Sequence, residues 1–189
     1  MRNLIILFSL TICLQGCFFA AGAAAGAAGA VAVYDHRKLE KIMQDQTISK
    51  EILQKVIADP TLRENTHIDV TTFNRIVLLT GETSTADERQ QAEDIARNTP
   101  DVVKVYNELA VKGPTSTLTR TSDSWITTKI KTTMLATEDL QSGTIKVVTE
   151  NGSVYLMGSV SHAQADMAVD IARQVSGVQR VVKIFNYTP

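Results

Sequence analysis

The chain contains one fold pattern twice. Ile68-Asp69-Val70-Thr71 through Ile76-Val77-Leu78-Leu79-Thr80-Gly81 realigns with Ile145-Lys146-Val147-Val148 through Val154-Tyr155-Leu156-Met157-Gly158, and Gly81 falls on Gly158. After one residue of slip, Asp94-Ile95-Ala96-Arg97 falls on Asp170-Ile171-Ala172-Arg173, and Val102 and Val105 fall on Val178 and Val181. A repeat of this period requires two copies of one small unit of about 65–70 residues, short for a domain but able to fold, especially if packed together.

Each copy reads as α-β-β-α-β. Ile48, Ile52, Leu53, Val56 and Ile57 in the first copy, and Ile126, Ile130 and Met134 in the second, have the spacing of one helix face. Thr47, and Asp123 or Ser124, stand where N-caps are expected. A hairpin follows. Asn151-Gly152 is a strong type I′ turn signal, whereas Asn74-Arg75 at the matching place is a weaker one. Second helices are predicted over 84–98 and 161–175, ended by Pro100 and Gly177, and closing strands over 102–111 and 179–187. The fold class is therefore α+β: two domains, each with a three-stranded mixed sheet and two helices on one face.

The N-terminus constrains the compartment. Arg2 precedes an apolar run from Leu4 to Leu14, too short to span a bilayer, and the run ends in Leu14-Gln15-Gly16-Cys17. This resembles the bacterial lipoprotein signal, which implies cleavage before Cys17 and a diacylglycerol thioether on its sulfur. Phe18, where Asp would favour inner-membrane retention, implies the outer membrane. Cys13 leaves with the signal, so the mature chain has no second cysteine for a disulfide or a thiolate metal site. Residues 20–32, almost wholly Ala, Gly and Val, read as a flexible tether or, alternatively, a glycine-zipper insertion. The expected organisation is a signal peptide at 1–16, lipidated cysteine and tether at 17–45, first domain at 46–112, linker at 113–119 and second domain at 120–189.

Little in the chain suggests catalysis. His36, His67 and His162 are scattered without metal-ligand spacing, and no nucleophile elbow or phosphate-cradling glycine loop is present. The acidic pairs Asp87-Glu88, Glu93-Asp94 and Glu138-Asp139 read as solvated. No catalytic residue, metal or cofactor is expected beyond the covalent lipid on Cys17. A near-neutral mature chain gives no sign of nucleic-acid binding. The charge is uneven, however. Residues 34–112 carry 11 basic and 14 acidic side chains, net −3, and residues 120–189 carry 7 and 6, net +1.

The first helix of the second copy, predicted over 124–137, is unusual. At 100° per residue Ile126, Ile130, Thr133 and Met134 share the core face, while Trp125, Thr128, Thr132 and Leu135 fall opposite and Lys129 and Lys131 flank them. Periodicity leaves two readings open. Trp125 packs on the first domain or linker while Leu135 caps its own core, or the two form an apolar wedge among lysines, suited to a lipid headgroup layer.

Asp123 to Ile130 and Val148 to Gly158, together with both units, the linker and the lipobox, resemble the tandem BON domains of enterobacterial outer-membrane lipoproteins. The resemblance is strongest in the second unit. It implies a non-enzymatic protein facing the periplasm, whose second BON domain binds anionic phospholipid (phosphatidylglycerol, cardiolipin) and which supports envelope integrity and the outer-membrane barrel-assembly machinery. It implies Trp125, Thr128, Lys129, Lys131, Thr132 and Leu135 as lipid contacts. Trp125 matches the family residue, and Lys129 and Leu135 match by position. Lys131 replaces an arginine, which keeps the charge but loses bidentate phosphate binding. The alternative is a protein–protein adaptor of the assembly machinery that touches no lipid, with Trp125 and Leu135 as its hot spot.

Overall fold

The computed structural model describes Arg37, residues 39–113 and residues 117–188. The expected signal, Cys17, most of the tether, His36 and residues 114–116 of the expected linker lie outside the described residues.

The first module runs α1 (Leu39–Ala58), α2 (Pro60–Asn65), β1 (His67–Phe73), β2 (Ile76–Thr83), α3 (Ala86–Arg97), β3 (Lys104–Asn107) and β4 (Ala110–Val111). The second runs α4 (Thr117–Ala136), a 3₁₀ turn (Ser142–Thr144), β5 (Ile145–Glu150), β6 (Ser153–Val160), α5 (His162–Gln174) and β7 (Arg180–Tyr187). The middle strands β2 and β6 pair antiparallel with β1 and β5, and parallel with β3/β4 and β7. The mixed sheet follows from this chemistry: a two-residue turn enforces antiparallel pairing, and a crossover helix returns the chain parallel. Thr85 starts α3 with a full capping box, and Ser161 starts α5 by accepting from the Gln164 N–H.

Both hairpin turns have the same left-handed backbone. Asn74 and Arg75 have φ of 49° and 65°, and Asn151 and Gly152 have 49° and 71°. The weaker sequence signal thus forms the same turn as the stronger one. Arg75 occupies a conformation costly for a side-chain-bearing residue. Its guanidinium is tied to Asp101, donating Nε to the carbonyl at 2.7 Å and Nη2 to Oδ1 at 3.2 Å.

Two expectations about the first helices need correction. Neither Thr47 nor Asp123 nor Ser124 is an N-cap, because α1 and α4 begin earlier, at Leu39 and Thr117. Thr47 lies within α1 and donates its hydroxyl to the Met43 carbonyl at 2.9 Å. Asp45 and Asp123 are buried and each anchors its module's hairpin. Asp45 accepts the N–H groups of Asn74 and Arg75, both at 2.8 Å, and Asp123 accepts those of Asn151 and Gly152 at 2.8 and 2.9 Å. Arg37 closes the first of these sites, pairing with Asp45 while its guanidinium lies 4.0 Å over the Phe73 ring. The core face of α1 is Ile48, Ile52 and Val56, whereas Leu53 and Ile57, predicted beside them, point to solvent.

In each module the helices cover one sheet face. Ile48, Ile52 and Val56 pack on Val77 and Leu79, and Ile126, Ile130 and Met134 pack on Val147 and Leu156. The opposite sheet faces pack on each other: Phe73 and Leu78 of the first module join Tyr155, Met157 and Ile184 of the second. The result is a helix–sheet–sheet–helix stack with both strand faces buried. Each fully buried side chain at this seam, such as Leu78 or Met157, contributes about 2 kcal/mol.

Candidate functional site

Helix α4 forms the outer layer of the second module. Ile126, Ile130 and Met134 are sealed beneath it, while Trp125 is 55% and Leu135 65% exposed. Thr128, Lys129 and Thr132 are exposed with them. Trp125, Thr128, Thr132 and Leu135 occupy an arc of about 80° along about 15 Å of helix. The structure thus places five of the six sequence-predicted residues in solvent on one face. The indole is not sealed against the first module, and Leu135 does not cap its own core. Lys131 stands apart from them: it is half-buried at the edge of the face, and burial pushes its ammonium below the ordinary lysine range.

The hydroxyls on this helix have a role that sequence reasoning missed. Thr128 donates to the Ser124 carbonyl at 2.9 Å, Thr133 to Lys129 at 2.9 Å and Thr137 to Thr133 at 2.8 Å, and Thr132 bonds back to Thr128 in the same way. These donors are satisfied within the helix, so removing water from this face costs less than its composition suggests. The signal was present as Ser or Thr recurring four residues apart, at 124, 128, 132 and at 133, 137.

Beside the N-terminal half of this face lies a groove of about 410 Å³ between the modules, lined by His67, Asp69, Arg120, Asp123, Ser124, Thr127, Thr128, Thr149 and Glu150. Its wall is the polar end of the seam. Asn151 Nδ2 donates to Glu82 of the first module at 2.8 Å and to Glu150 of the second at 3.0 Å. Glu82 is buried, with His67 Nδ1 at 3.7 Å and Lys112 Nζ at 3.9 Å. At the other end of the seam Arg180 donates to Glu108 at 2.9 Å and to the Tyr155 hydroxyl at 3.0 Å. The break between β3 and β4 at Glu108-Leu109 makes the first sheet four-stranded rather than three-stranded, and at this break Glu108 reaches the second module.

Burial, then the carboxylates of Glu82, Asp123 and Asp69, push Glu150 up to about 7, against a weaker opposing pull from Arg120. The folded protein therefore holds a proton that the unfolded chain releases near pH 4.5. The stability from this site is fully present below pH 4.5 and is lost as pH climbs to about 7. Glu150→Gln mimics the protonated acid. After discounting for partial solvent screening, it should raise stability at pH 8 by on the order of 1–2 kcal/mol and leave it unchanged at pH 4.5. Urea unfolding of both proteins at the two pH values measures this. An equal effect at both would place the gain elsewhere.

Among the described residues no group of His, Cys, Asp and Glu could hold a metal ion, and no helix is long and apolar enough to cross a membrane. His67 opens β1, and His162 opens α5 with its ring stacked on Tyr187 at 4.0 Å.

The BON domain family model matches residues 44–113 and 122–189. The outer membrane lipoprotein DolP of Haemophilus influenzae is 35% identical over 187 residues, covering 99% of this chain and 96% of that protein. The 21 kDa hemolysin of Actinobacillus pleuropneumoniae is 35% identical over 153 residues, covering 81% and 79%. The osmotically-inducible protein Y of Escherichia coli is 29% identical over 147 residues, covering 76% and 73%.

Proposed function

We propose, from the premise that this chain belongs to the BON-domain family and carries two such domains, that it is a non-enzymatic outer-membrane lipoprotein whose second module binds anionic phospholipid through the outer face of α4. Cys17 carries the lipid anchor, and the Ala/Gly-rich stretch at residues 20–32 tethers the folded part on the periplasmic side. The observation that carries this reading is the exposed Trp125 beside exposed Leu135 and Lys129, on a helix whose threonine hydroxyls are already satisfied. An indole has an apolar ring and one N–H donor, which suits the headgroup boundary and contributes on the order of 2 kcal/mol there. Lys129 meets lipid phosphate directly. Lys131, at the edge, adds charge near the surface, each lysine contributing about 1 kcal/mol. The described residues supply the docking face, and support for envelope integrity and barrel assembly follows from holding the modules at that surface.

The uneven charge supports lipid over a protein target. The module bearing the wedge is net +1 and its partner module net −3, so an anionic surface orients the molecule with α4 toward it. An adaptor using the same Trp125 patch would bind protein with or without anionic lipid.

The test is co-sedimentation of residues 34–189, which lack the anchoring Cys17, with vesicles of phosphatidylglycerol and cardiolipin against phosphatidylcholine alone. Trp125→Glu should weaken anionic binding at least about tenfold without changing the melting temperature, since the side chain is exposed. Equal attachment to both vesicle types, or full attachment by the variant, would reject the lipid reading. Partner loss in a detergent pull-down with lipid binding intact would favour the adaptor.

A further inference from the structure

The outer face of α1 bears a stripe that the first module does not use. Leu39 is 65%, Met43 59%, Leu53 39% and Ile57 52% exposed, and exposed Gln46 and Lys50 lie between them on the same face. The six residues step by 4, 3, 4, 3 and 4, the spacing of a two-helix seam, over about 27 Å of helix. This face points away from Ile48, Ile52 and Val56, which hold the helix to its sheet.

The order along the stripe is apolar, apolar, polar, polar, apolar, apolar. Read in reverse it is the same. Laid antiparallel on a second α1 about a two-fold axis near Ile48, Leu39 meets Ile57, Met43 meets Leu53, and the Gln46 carbonyl meets the Lys50 ammonium, each twice. We infer that the α1 face is a self-recognition surface, and that its occupant is the same helix of a second copy of this chain in an antiparallel, two-fold pair. A two-fold interface requires such self-complementarity, whereas a surface for an unrelated helix does not.

A bilayer fits this stripe poorly. Its only lysine sits at the centre of the apolar run rather than at its edge, and the first module is net −3, which anionic lipid repels. One helix pair buries on the order of 800 Å² in total, below the 1,200 Å² typical of stable complexes, so the pair is weak and concentration-dependent. The inference stands on α1 alone and does not rest on lipid binding by α4.

Disulfide trapping in membranes of cells making the full chain tests it. Leu39→Cys and Ile57→Cys, carried on differently tagged copies, should cross-link to each other. Neither should cross-link to itself, and the unsubstituted chain should not cross-link. Sedimentation of the detergent-solubilised full chain supplies the second measurement. Gln46→Glu, which places a carboxylate opposite Lys50, should tighten association several-fold, and Met43→Glu should reduce it at least tenfold while the melting temperature stays unchanged. A chain that stays monomeric at near-millimolar concentration would overturn the inference. So would cross-links of Leu39→Cys only to itself, association indifferent to Met43→Glu, or loss of vesicle binding instead of self-association in that variant.

Discussion

Gly81→Ala should unfold the first module. A methyl group at this position would sit 2.0 Å from the His67 carbonyl oxygen, far inside contact distance, and the residue has φ of +110°. The clashing oxygen is backbone at the entry of β1, so it cannot move away without disturbing the β1–β2 register that pairs Ile68 with Gly81 and His67 with Glu82. The steric and conformational costs add, for a loss of about 4 kcal/mol or more. Gly158, its repeat partner, should be more tolerant. Its added methyl would meet the Thr144 carbonyl at 2.8 Å, a clash that a small shift of the 3₁₀ turn relieves, for about 2 kcal/mol. Thermal melts followed by circular dichroism compare the two. A melting temperature for Gly81→Ala within a few degrees of the parent would show that the strand entry is softer than this geometry allows.

Asp123→Ala should cost about 3 kcal/mol, because it strips two backbone N–H groups of the Asn151-Gly152 turn of their shared acceptor in a buried place. Asp123→Asn keeps one carbonyl acceptor and should fall between. It also removes one of the charges that raise Glu150, so the pH dependence between 4.5 and 7 should shrink in that variant. Asp45→Ala should behave likewise in the first module, with the added loss of the Arg37 pair. Urea midpoints for the three substitutions measure this. A loss near 1 kcal/mol for Asp123→Ala would reduce the carboxylate to the value of an ordinary helix cap.

The repeat made much of this fold legible. Gly81 over Gly158, Asn151-Gly152 at a turn, and Asp94-Ile95-Ala96-Arg97 over Asp170-Ile171-Ala172-Arg173 carry local chemistry that acts within a few residues. The roles of Asp45 and Asp123 were not legible in the same way. A short acid just before an apolar run looks like an N-cap, and its true partners lie 28 to 30 residues further on. Their one distinguishing sign was that both stand three residues before the first core isoleucine, Ile48 and Ile126. Leu53 and Ile57 misled for a different reason. They lie about 100° around the helix from Ile52 and Val56, close enough to extend one apolar arc, and only the sheet decides which half is buried. The seam was foreshadowed by Val77-Leu78-Leu79 and Val154-Tyr155-Leu156-Met157, which are apolar on both strand faces and therefore need cover on both. Trp125 was legible because its angle opposed the core, but the sequence could not show that nothing in the first module covers it.

Trp125 is the chain's only tryptophan, so its fluorescence reports the lipid face without a label. With the full chain reconstituted on vesicles, emission should shift to the blue, and be quenched by brominated acyl chains, when the vesicles contain phosphatidylglycerol or cardiolipin. The effect should be weaker at high salt and absent on phosphatidylcholine. An indole that emits as in water on anionic vesicles and ignores the brominated chains would contradict it.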